Sequence, residues 1–262
     1  MNHSLRYGTA RCKHTFAHRW LAVCLLVTAA QASADTAAVA VAANFQAPME
    51  AIRSAFEKDT GHTLSVSTGS SGKFVAQIRN GAPFDVFLSA DQQNPQALET
   101  SGDAIPNSRF TYAEGTLVLW SAQTGIYPEA LLKSGEFNRL AIANPKLAPY
   151  GLAATQVLDK LGLSSATSAK LVTGENIAQT WQFVSTGNAE IGFVALSQVR
   201  ATQDGNPGSL WLIPSDAYEP IRQDAVLLKH GAHNAAAQAL LDYLRGDTAK
   251  GIIQHYGYGL SH

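Results

Sequence analysis

Apolar and polar residues follow each other in two periods along the chain, and the pattern predicts a repeated succession of strands and helices. Residues 39–43 form an apolar run of the length of a buried strand, and Met49, Ile52 and Phe56 then share one face of a predicted helix. Further apolar strands are predicted at 64–67, 84–88, 115–120, 140–143, 190–194 and 225–228. Further helices are predicted at 151–161, from Ile177 onward, and in two segments near the end of the chain. Repeated strand–helix units indicate an α/β fold with mostly parallel sheets, in which ligands bind at the carboxyl ends of strands.

The N-terminal segment has the pattern of a secretory signal peptide. Basic residues precede a short apolar run, and small residues that end at Ala34 follow it. The apolar run is too short to span a membrane as a helix. We therefore expect residues 1–34 to be a leader that is cleaved after Ala34, which directs the mature chain to the periplasm. Cys12 and Cys24 both lie in this leader, so the mature chain is predicted to contain no disulfide.

The charge balance of the mature chain restricts the classes of partner. The leader contains four of the 19 Lys and Arg residues and none of the 20 Asp and Glu residues. The mature part therefore carries 15 basic and 20 acidic residues, a net charge of −5 with histidine neutral. This balance argues against nucleic acid and against an anionic membrane surface as partners.

A neutral turn between a predicted strand and a predicted helix is the strongest local sign of function. Residues 68–72 read TGSSG, and Phe74 and Ile78 mark the buried face of the helix that follows. Such a turn presents unpaired backbone N–H groups, hydroxyls and the positive end of a helix dipole, which together favour an anion. The same residue types also form ordinary helix caps, and this alternative stays open for the turn alone.

The turn does not fit the common nucleotide-binding or hydrolase motifs. Its spacing differs from GxxxxGK[ST], and Phe74 stands where a magnesium-binding hydroxyl would be. It is one residue short of the GxSxG nucleophile elbow, although a secreted hydrolase that uses Ser70 or Ser71 stays an alternative. His230 and His233 are three residues apart without a third ligand nearby, so no metal site is predicted there.

Two charged residues near the turn are expected to have other roles. Asp85 lies between apolar residues, and we expect its carboxylate to accept hydrogen bonds from backbone N–H groups around its strand. Lys73 is expected at a solvated position of the helix. The anion site is therefore predicted to be built without formal charge.

Seven short motifs occur in order along the mature chain. They are AANF at 42–45, GSSG at 69–72, GAPFDVFLSADQ at 81–92, NP at 144–145, APYG at 148–151, GENI at 174–177 and YGY at 256–258. In this order and spacing they resemble the periplasmic molybdate-binding proteins of ABC importers. The resemblance implies a two-lobed periplasmic-binding-protein fold of type II, in which each lobe is a mostly parallel sheet flanked by helices.

The resemblance also implies two chain crossovers between the lobes. We place these crossovers near 113–116 and 216–221. Lobe 1 would then contain residues 35–115 and 219–262, and lobe 2 would contain residues 116–218.

The resemblance further implies which residues hold the anion. The binding residues of the family map onto Asn44, through its side chain and backbone N–H, and onto Ser71, through its hydroxyl and backbone N–H. They also map onto the backbone N–H groups of Tyr150 and Ile177. Some relatives use a tyrosine hydroxyl where this chain has Ala195, and we expect the Tyr150 hydroxyl to replace that donor. Protein atoms would approach the molybdenum only through the oxygens of molybdate, without direct coordination of the metal.

The implied function is that of an extracytoplasmic receptor, with no enzymatic activity and no resident cofactor. The receptor, a monomer, would close as a hinge around molybdate or tungstate and deliver the anion to a membrane permease and its ATPase. Within the GSSG turn, Ser71 is expected to contribute more than Ser70. A sulfate or phosphate receptor of the same fold is the alternative, although no carboxylate is mapped for the proton of a phosphate. The leader argues against the sensing domain of a cytoplasmic regulator.

Overall fold

The computed structural model describes residues 34–202 and 208–260, together with Gly8. The leader predicted from the sequence, with Cys12 and Cys24, lies outside these residues apart from Gly8 and Ala34. No helix in the described ranges combines the length and the apolar content that crossing a bilayer requires.

The described chain alternates between strands and helices. The strands are β1 (Thr36–Ala42), β2 (Thr63–Gly69), β3 (Val86–Leu88), β4 (Phe110–Gly115), β5 (Leu117–Ser121), β6 (Leu140–Ala143), β7 (Leu171–Gly174), β8 (Ile191–Ala195), β9 (Ser209–Leu212) and β10 (Ile221–Leu227). The α-helices are α1 (Gln46–Thr60), α2 (Ser71–Arg79), α3 (Gln93–Ser101), α4 (Pro128–Ser134), α5 (Pro149–Lys160), α6 (Ser164–Thr167), α7 (Ile177–Ser185), α8 (Leu196–Arg200), α9 (Ala235–Arg245) and α10 (Asp247–His255).

The strands form two five-stranded sheets of the same design. The first sheet has the order β2-β1-β3-β10-β4, and the second has the order β7-β6-β8-β5-β9. In the first sheet β10 is antiparallel to both of its neighbours, while β1 pairs in parallel with β2 and β3. In the second sheet β5 is the antiparallel strand, while β6 pairs in parallel with β7 and β8. Each sheet is thus mixed, with four of its five strands in one direction, in keeping with the mostly parallel sheets that the sequence predicts.

The chain passes between the two sheets twice. It leaves the first sheet at Gly115, the last residue of β4, and enters the second sheet at Leu117 in β5. It returns from β9 to β10 between Leu212 and Ile221. The predicted two-lobed α/β fold with two crossovers is therefore confirmed. The lobe boundaries at 115/116 and 218/219 stay a prediction, because sheet membership fixes the strands and leaves the connecting residues unassigned.

Helices cover both sheets and bury an apolar core on each. The predicted apolar face of α1, formed by Met49, Ile52 and Phe56, is fully buried against β1 and the C-terminal helices. In the second sheet, side chains such as Ile142 and Phe193 pack against α5. Burial of this kind contributes about 1.5–3 kcal/mol for each large apolar side chain. It holds the strand ends, and the loops that leave them, in fixed positions.

One predicted strand is wrong in its extent. The sequence predicts a single strand over 115–120, whereas the structure ends β4 at Gly115 and begins β5 at Leu117 in the other sheet. Strand β4 reads FTYAEG and is only partly buried, whereas β5 reads LVLWS and is fully buried. The apolar pattern therefore marks β5 alone, and the predicted strand begins at Gly115, the last residue of β4. Strand β4, apart from Gly115, and the short strands β7 and β9 also lie outside the predicted set.

Candidate functional site

A small cavity lies between the two sheets, at the carboxyl ends of parallel strands from each of them. Its lining includes all four predicted site residues, Asn44, Ser71, Tyr150 and Ile177. The cavity volume is ≈ 10 Å³, which is about the room that one water-sized group needs. The space is far smaller than a sugar or a peptide.

In the first sheet, the adjacent strands β1 and β2 each lead into a helix start at the cavity. A single 3-10 turn, Ala43–Phe45, follows β1 and carries Asn44 into α1. Helix α2 begins at Ser71, directly after the extended residue Ser70. The Gly72 N–H donates to a carbonyl in the loop between β6 and α5 (3.1 Å). The Ser71 N–H, one residue earlier, remains at the unpaired end of the helix.

In the second sheet, the adjacent strands β6 and β7 repeat this arrangement. Helix α5 begins at Pro149, which has no N–H, so the first donor of that helix is the Tyr150 N–H. Helix α7 begins at Ile177, and Asn176 is its predicted N-cap. The Asn176 side chain accepts the N–H groups of the second and third helix residues (both 3.0 Å), so the Ile177 N–H lies outside this cap.

The cavity is electropositive without containing a cation. The N-termini of α2, α5 and α7 border it, and each contributes backbone N–H groups and about half a positive charge from the helix dipole. The 3-10 turn that contains Asn44 and leads into α1 adds further backbone N–H groups. None of the residues that line the cavity carries a formal charge. The lining is therefore neutral, as the sequence predicts, and anion binding by it stays a prediction.

The Asn44 side chain does not point its donors at the cavity. Its Nδ2 atom donates to Oε1 of Gln223 (2.9 Å) and to the hydroxyl of Tyr258 (3.0 Å), so both amide hydrogens are used on the side away from the cavity. The Asn44 carbonyl in turn accepts from the Tyr258 and Ser197 hydroxyls (2.7 and 2.8 Å). The donor that Asn44 has left for an anion is its backbone N–H. The side-chain donation expected from the sequence has no free hydrogen in this arrangement.

Behind the cavity, Gln223 joins the two sheets through a buried polar network. It lies on β10 at a register shift, is fully buried, and accepts from the Asn44 amide and the Tyr112 hydroxyl (2.9 and 3.1 Å). Its Nε2 donates to the Tyr150 hydroxyl (3.3 Å). Burial raises the pKa of Tyr150 well above its usual value and the pKa of Tyr258 to about 12, so both phenols stay protonated at neutral pH. Sequence reasoning missed this network because its members are far apart along the chain.

The Ser71 hydroxyl already has one protein partner. It accepts the Ala90 N–H (3.0 Å), which ties the start of α2 to the loop after β3. Its hydrogen remains available to an acceptor in the cavity. Nearby, the predicted structural role of Asp85 is confirmed, since its carboxylate accepts the Ala38 N–H (2.7 Å) and the Asn234 amide (3.2 Å).

Lys73 lies at an exposed position of α2, as the sequence predicts, and it has a charged partner there. It is half-exposed, and its Nζ lies 2.7 Å from a carboxylate oxygen of Glu175, which is in the loop after β7. The pair therefore bridges the two sheets beside the cavity. An exposed pair of this kind contributes up to about 1 kcal/mol and is screened by salt.

Comparisons with known proteins all match this chain to bacterial solute-binding proteins. A family model described as bacterial extracellular solute-binding protein matches residues 37–259. The molybdate-binding protein ModA of Azotobacter vinelandii is 59% identical over 238 residues, which cover 90% of this chain and 94% of that protein. The ModA protein of Rhodobacter capsulatus is 50% identical, with 87% and 89% covered. The solved structure of the periplasmic molybdate-binding protein of Azotobacter vinelandii superimposes with a TM-score of 0.83 at 43% identity, over 86% of this chain and 100% of that one.

Proposed function

The chain belongs to the bacterial extracellular solute-binding proteins, and on that premise we propose that it is a periplasmic receptor that binds molybdate and delivers it to an ABC importer. Tungstate, which has the same shape and charge, is the expected second ligand. The predicted leader supports export, with cleavage after Ala34. A membrane permease and its ATPase are the expected partners, and the receptor is expected to act as a monomer without a resident cofactor.

One observation carries this proposal: four helix starts surround a cavity of ≈ 10 Å³ that contains no charged residue. A tetrahedral dianion can accept hydrogen bonds from several directions at once, and each bond to a charged group contributes about 1.5–3 kcal/mol. A handful of such bonds, less the costs of desolvation and closure, can reach the roughly −8 to −12 kcal/mol of a micromolar-to-nanomolar receptor. Neutral donors also leave no unpaired buried cation in the empty site.

We propose the same four residues as the ligand shell. Ser71, Tyr150 and Ile177 would each donate a backbone N–H, and the hydroxyls of Ser71 and Tyr150 would be further donors. Asn44 would donate its backbone N–H, while its amide holds the network behind the site. All contacts with molybdenum would run through the oxygens of the anion.

The residues that line the cavity lack the general base that a serine hydrolase needs. A serine nucleophile needs a general base within hydrogen-bond reach, and among the residues that line the cavity there is no histidine, lysine or carboxylate. The hydroxyl of Ser71 accepts a backbone N–H instead of donating to a base. These contacts support binding without catalysis.

Calorimetric titration of the mature chain, residues 35–262, with molybdate, tungstate, sulfate and phosphate tests the proposal. A cage of fixed donors selects oxyanions of equal charge by their size, so molybdate and tungstate should bind at least about a hundredfold more tightly than sulfate or phosphate. This ratio corresponds to about 2.7 kcal/mol. Equal or tighter binding of sulfate would replace molybdate as the assigned ligand, and a measurable ester hydrolysis that depends on Ser71 would favour the hydrolase.

Replacing Ser71 by alanine should weaken molybdate binding by about 1.5–3 kcal/mol, or roughly ten- to a hundredfold. The change removes a hydroxyl donor to the buried anion and also leaves the Ala90 N–H without its acceptor. Both the dissociation constant, from calorimetry, and the midpoint of urea unfolding should therefore change. If Ser71→Ala binds molybdate as tightly as the parent does, the GSSG turn is only a structural helix cap.

Replacing Tyr150 by phenylalanine should weaken molybdate binding by about 1–3 kcal/mol without abolishing it. The variant loses the hydroxyl that we expect to donate to the anion and that accepts from Gln223, while the backbone N–H of residue 150 is kept. Tyr243→Phe is the matched control, because that hydroxyl donates to Asp59 on the surface. An unchanged dissociation constant in Tyr150→Phe would mean that the ring only walls the cleft, and that nothing replaces the donor missing at Ala195.

A further inference from the structure

Ser70 has a buried hydroxyl without a partner at the edge of the cavity. Its Oγ atom is one of two buried side-chain nitrogen or oxygen atoms in the described ranges that make no hydrogen bond; the other belongs to Arg53. The residue is 3% exposed and lines the cavity. A hydroxyl in this setting normally finds a partner, because it would otherwise lose the hydrogen bonds that it made with water.

The hydroxyl is also not used for the role that its position favours. Ser70 stands at the N-cap of α2 with an extended backbone (φ −79°, ψ 143°), the conformation in which serine usually accepts an N–H from the first turn. It makes no such bond. One of the two usual targets, the Gly72 N–H, already donates to the Leu147 carbonyl in the loop before α5. The Ser70 hydroxyl oxygen therefore takes no part in capping α2, and it lies beside the cavity.

We infer that Ser70 is a further ligand residue, whose hydroxyl donates a hydrogen bond to the bound oxyanion. This inference rests on the proposed function, because it assigns the donor to the same anion. The GSSG turn would then supply two neighbouring hydroxyls and a backbone N–H to one ligand. The sequence-based expectation that Ser70 contributes less than Ser71 is replaced by an expectation of comparable contributions to binding.

The two serines should differ in what else they stabilise. Ser71 accepts the Ala90 N–H, so its removal disturbs the protein as well as the site. Ser70 has no protein partner, so its removal should weaken ligand binding without destabilising the unliganded protein. This difference gives a test that separates ligand binding from a structural role.

The experiment compares the mature protein with Ser70→Ala, Ser70→Gly and Ser71→Ala, by calorimetry with molybdate and by urea unfolding without added oxyanion. Ser70→Ala and Ser70→Gly should both raise the dissociation constant at least tenfold. Their unfolding midpoints in the absence of oxyanion should equal or exceed that of the parent, whereas the midpoint of Ser71→Ala should fall. Agreement between alanine and glycine at position 70 excludes an effect of the remaining methyl group.

Each other outcome overturns the inference. If Ser70→Ala binds molybdate as the parent does, Ser70 is not a ligand, while the proposed function stands. If Ser70→Ala lowers the unfolding midpoint and leaves affinity unchanged, the hydroxyl is structural. If the parent itself binds no molybdate under the same conditions, the proposed function fails, and the assignment of Ser70 to molybdate fails with it.

Discussion

Replacing Gly151 by alanine is expected to destabilise the protein by about 3 kcal/mol and to weaken molybdate binding at least a hundredfold. A Cβ at this position would lie 2.2 Å from the carbonyl oxygen of Ala143 and 2.7 Å from its carbonyl carbon. Both atoms belong to the backbone of β6 and cannot rotate away, so α5 must shift, at a cost near the upper end for overpacking. The shift would displace the Tyr150 N–H, which is the first donor of that helix. Urea unfolding and calorimetry measure the two effects.

Gly251→Ala is the matched control for this prediction. It makes the same substitution inside α10, where, apart from the neighbouring backbone of the helix itself, no heavy atom lies within 4 Å of the added Cβ. Because alanine favours a helix over glycine by up to about 1 kcal/mol, this control should gain stability and keep its affinity. If the two variants behave alike, close packing of α5 against β6 does not position the donor.

Replacing Arg109 by methionine is expected to reduce the free energy of unfolding by about 3 kcal/mol. Asp224 is fully buried, and its carboxylate accepts hydrogen bonds from Arg109 (2.5 Å), Thr111 (2.6 Å) and Gln92 (3.2 Å). Removing the cation leaves a buried carboxylate without its counterion, which costs about 3–5 kcal/mol. The lower end applies because the Arg109 side chain is 29% exposed.

Lys133→Met is the control for the Arg109 variant. It breaks the exposed pair with Glu129 one helical turn away, an interaction of only about 0.3–0.5 kcal/mol. Urea unfolding without added oxyanion should separate the two variants clearly. Equal midpoints for Arg109→Met and the parent would contradict a stabilising role for the buried pair.

Sequence patterns predicted the parts of this fold that repeat locally. The buried face of α1, the cap at Asn176 and the Gly/Ser turn before α2 each depend on residues within one or two turns of chain. Local periodicity and capping preferences therefore sufficed for them. Strand β4 did not follow from the pattern, because FTYAEG mixes polar and apolar residues and is only partly buried, so hydrophobicity marks only β5 beyond the crossover.

The sequence predicted which residues line the site, but it did not predict which of their atoms are free to bind a ligand. The four predicted residues come together in one cavity because each follows a strand end. The direction of the Asn44 amide depends on Gln223 and Tyr258, which are 179 and 214 residues away along the chain. The unused hydroxyl of Ser70 depends on a carbonyl of the other sheet. Neither relation is visible in a local window of sequence.

Each sheet supplies two of the four helix starts that border the cavity. Because of this division, opening the cleft would by itself release the anion. Asn44 and Ser71 follow strands of one sheet, whereas Tyr150 and Ile177 follow strands of the other. If each half-site supplies half of about −12 kcal/mol, the separated halves hold the anion with only about −6 kcal/mol. A nanomolar dissociation constant would then become one of tens of micromolar. A membrane partner that separates the two half-sites would release the anion without protonating the anion, reducing it or competing for it.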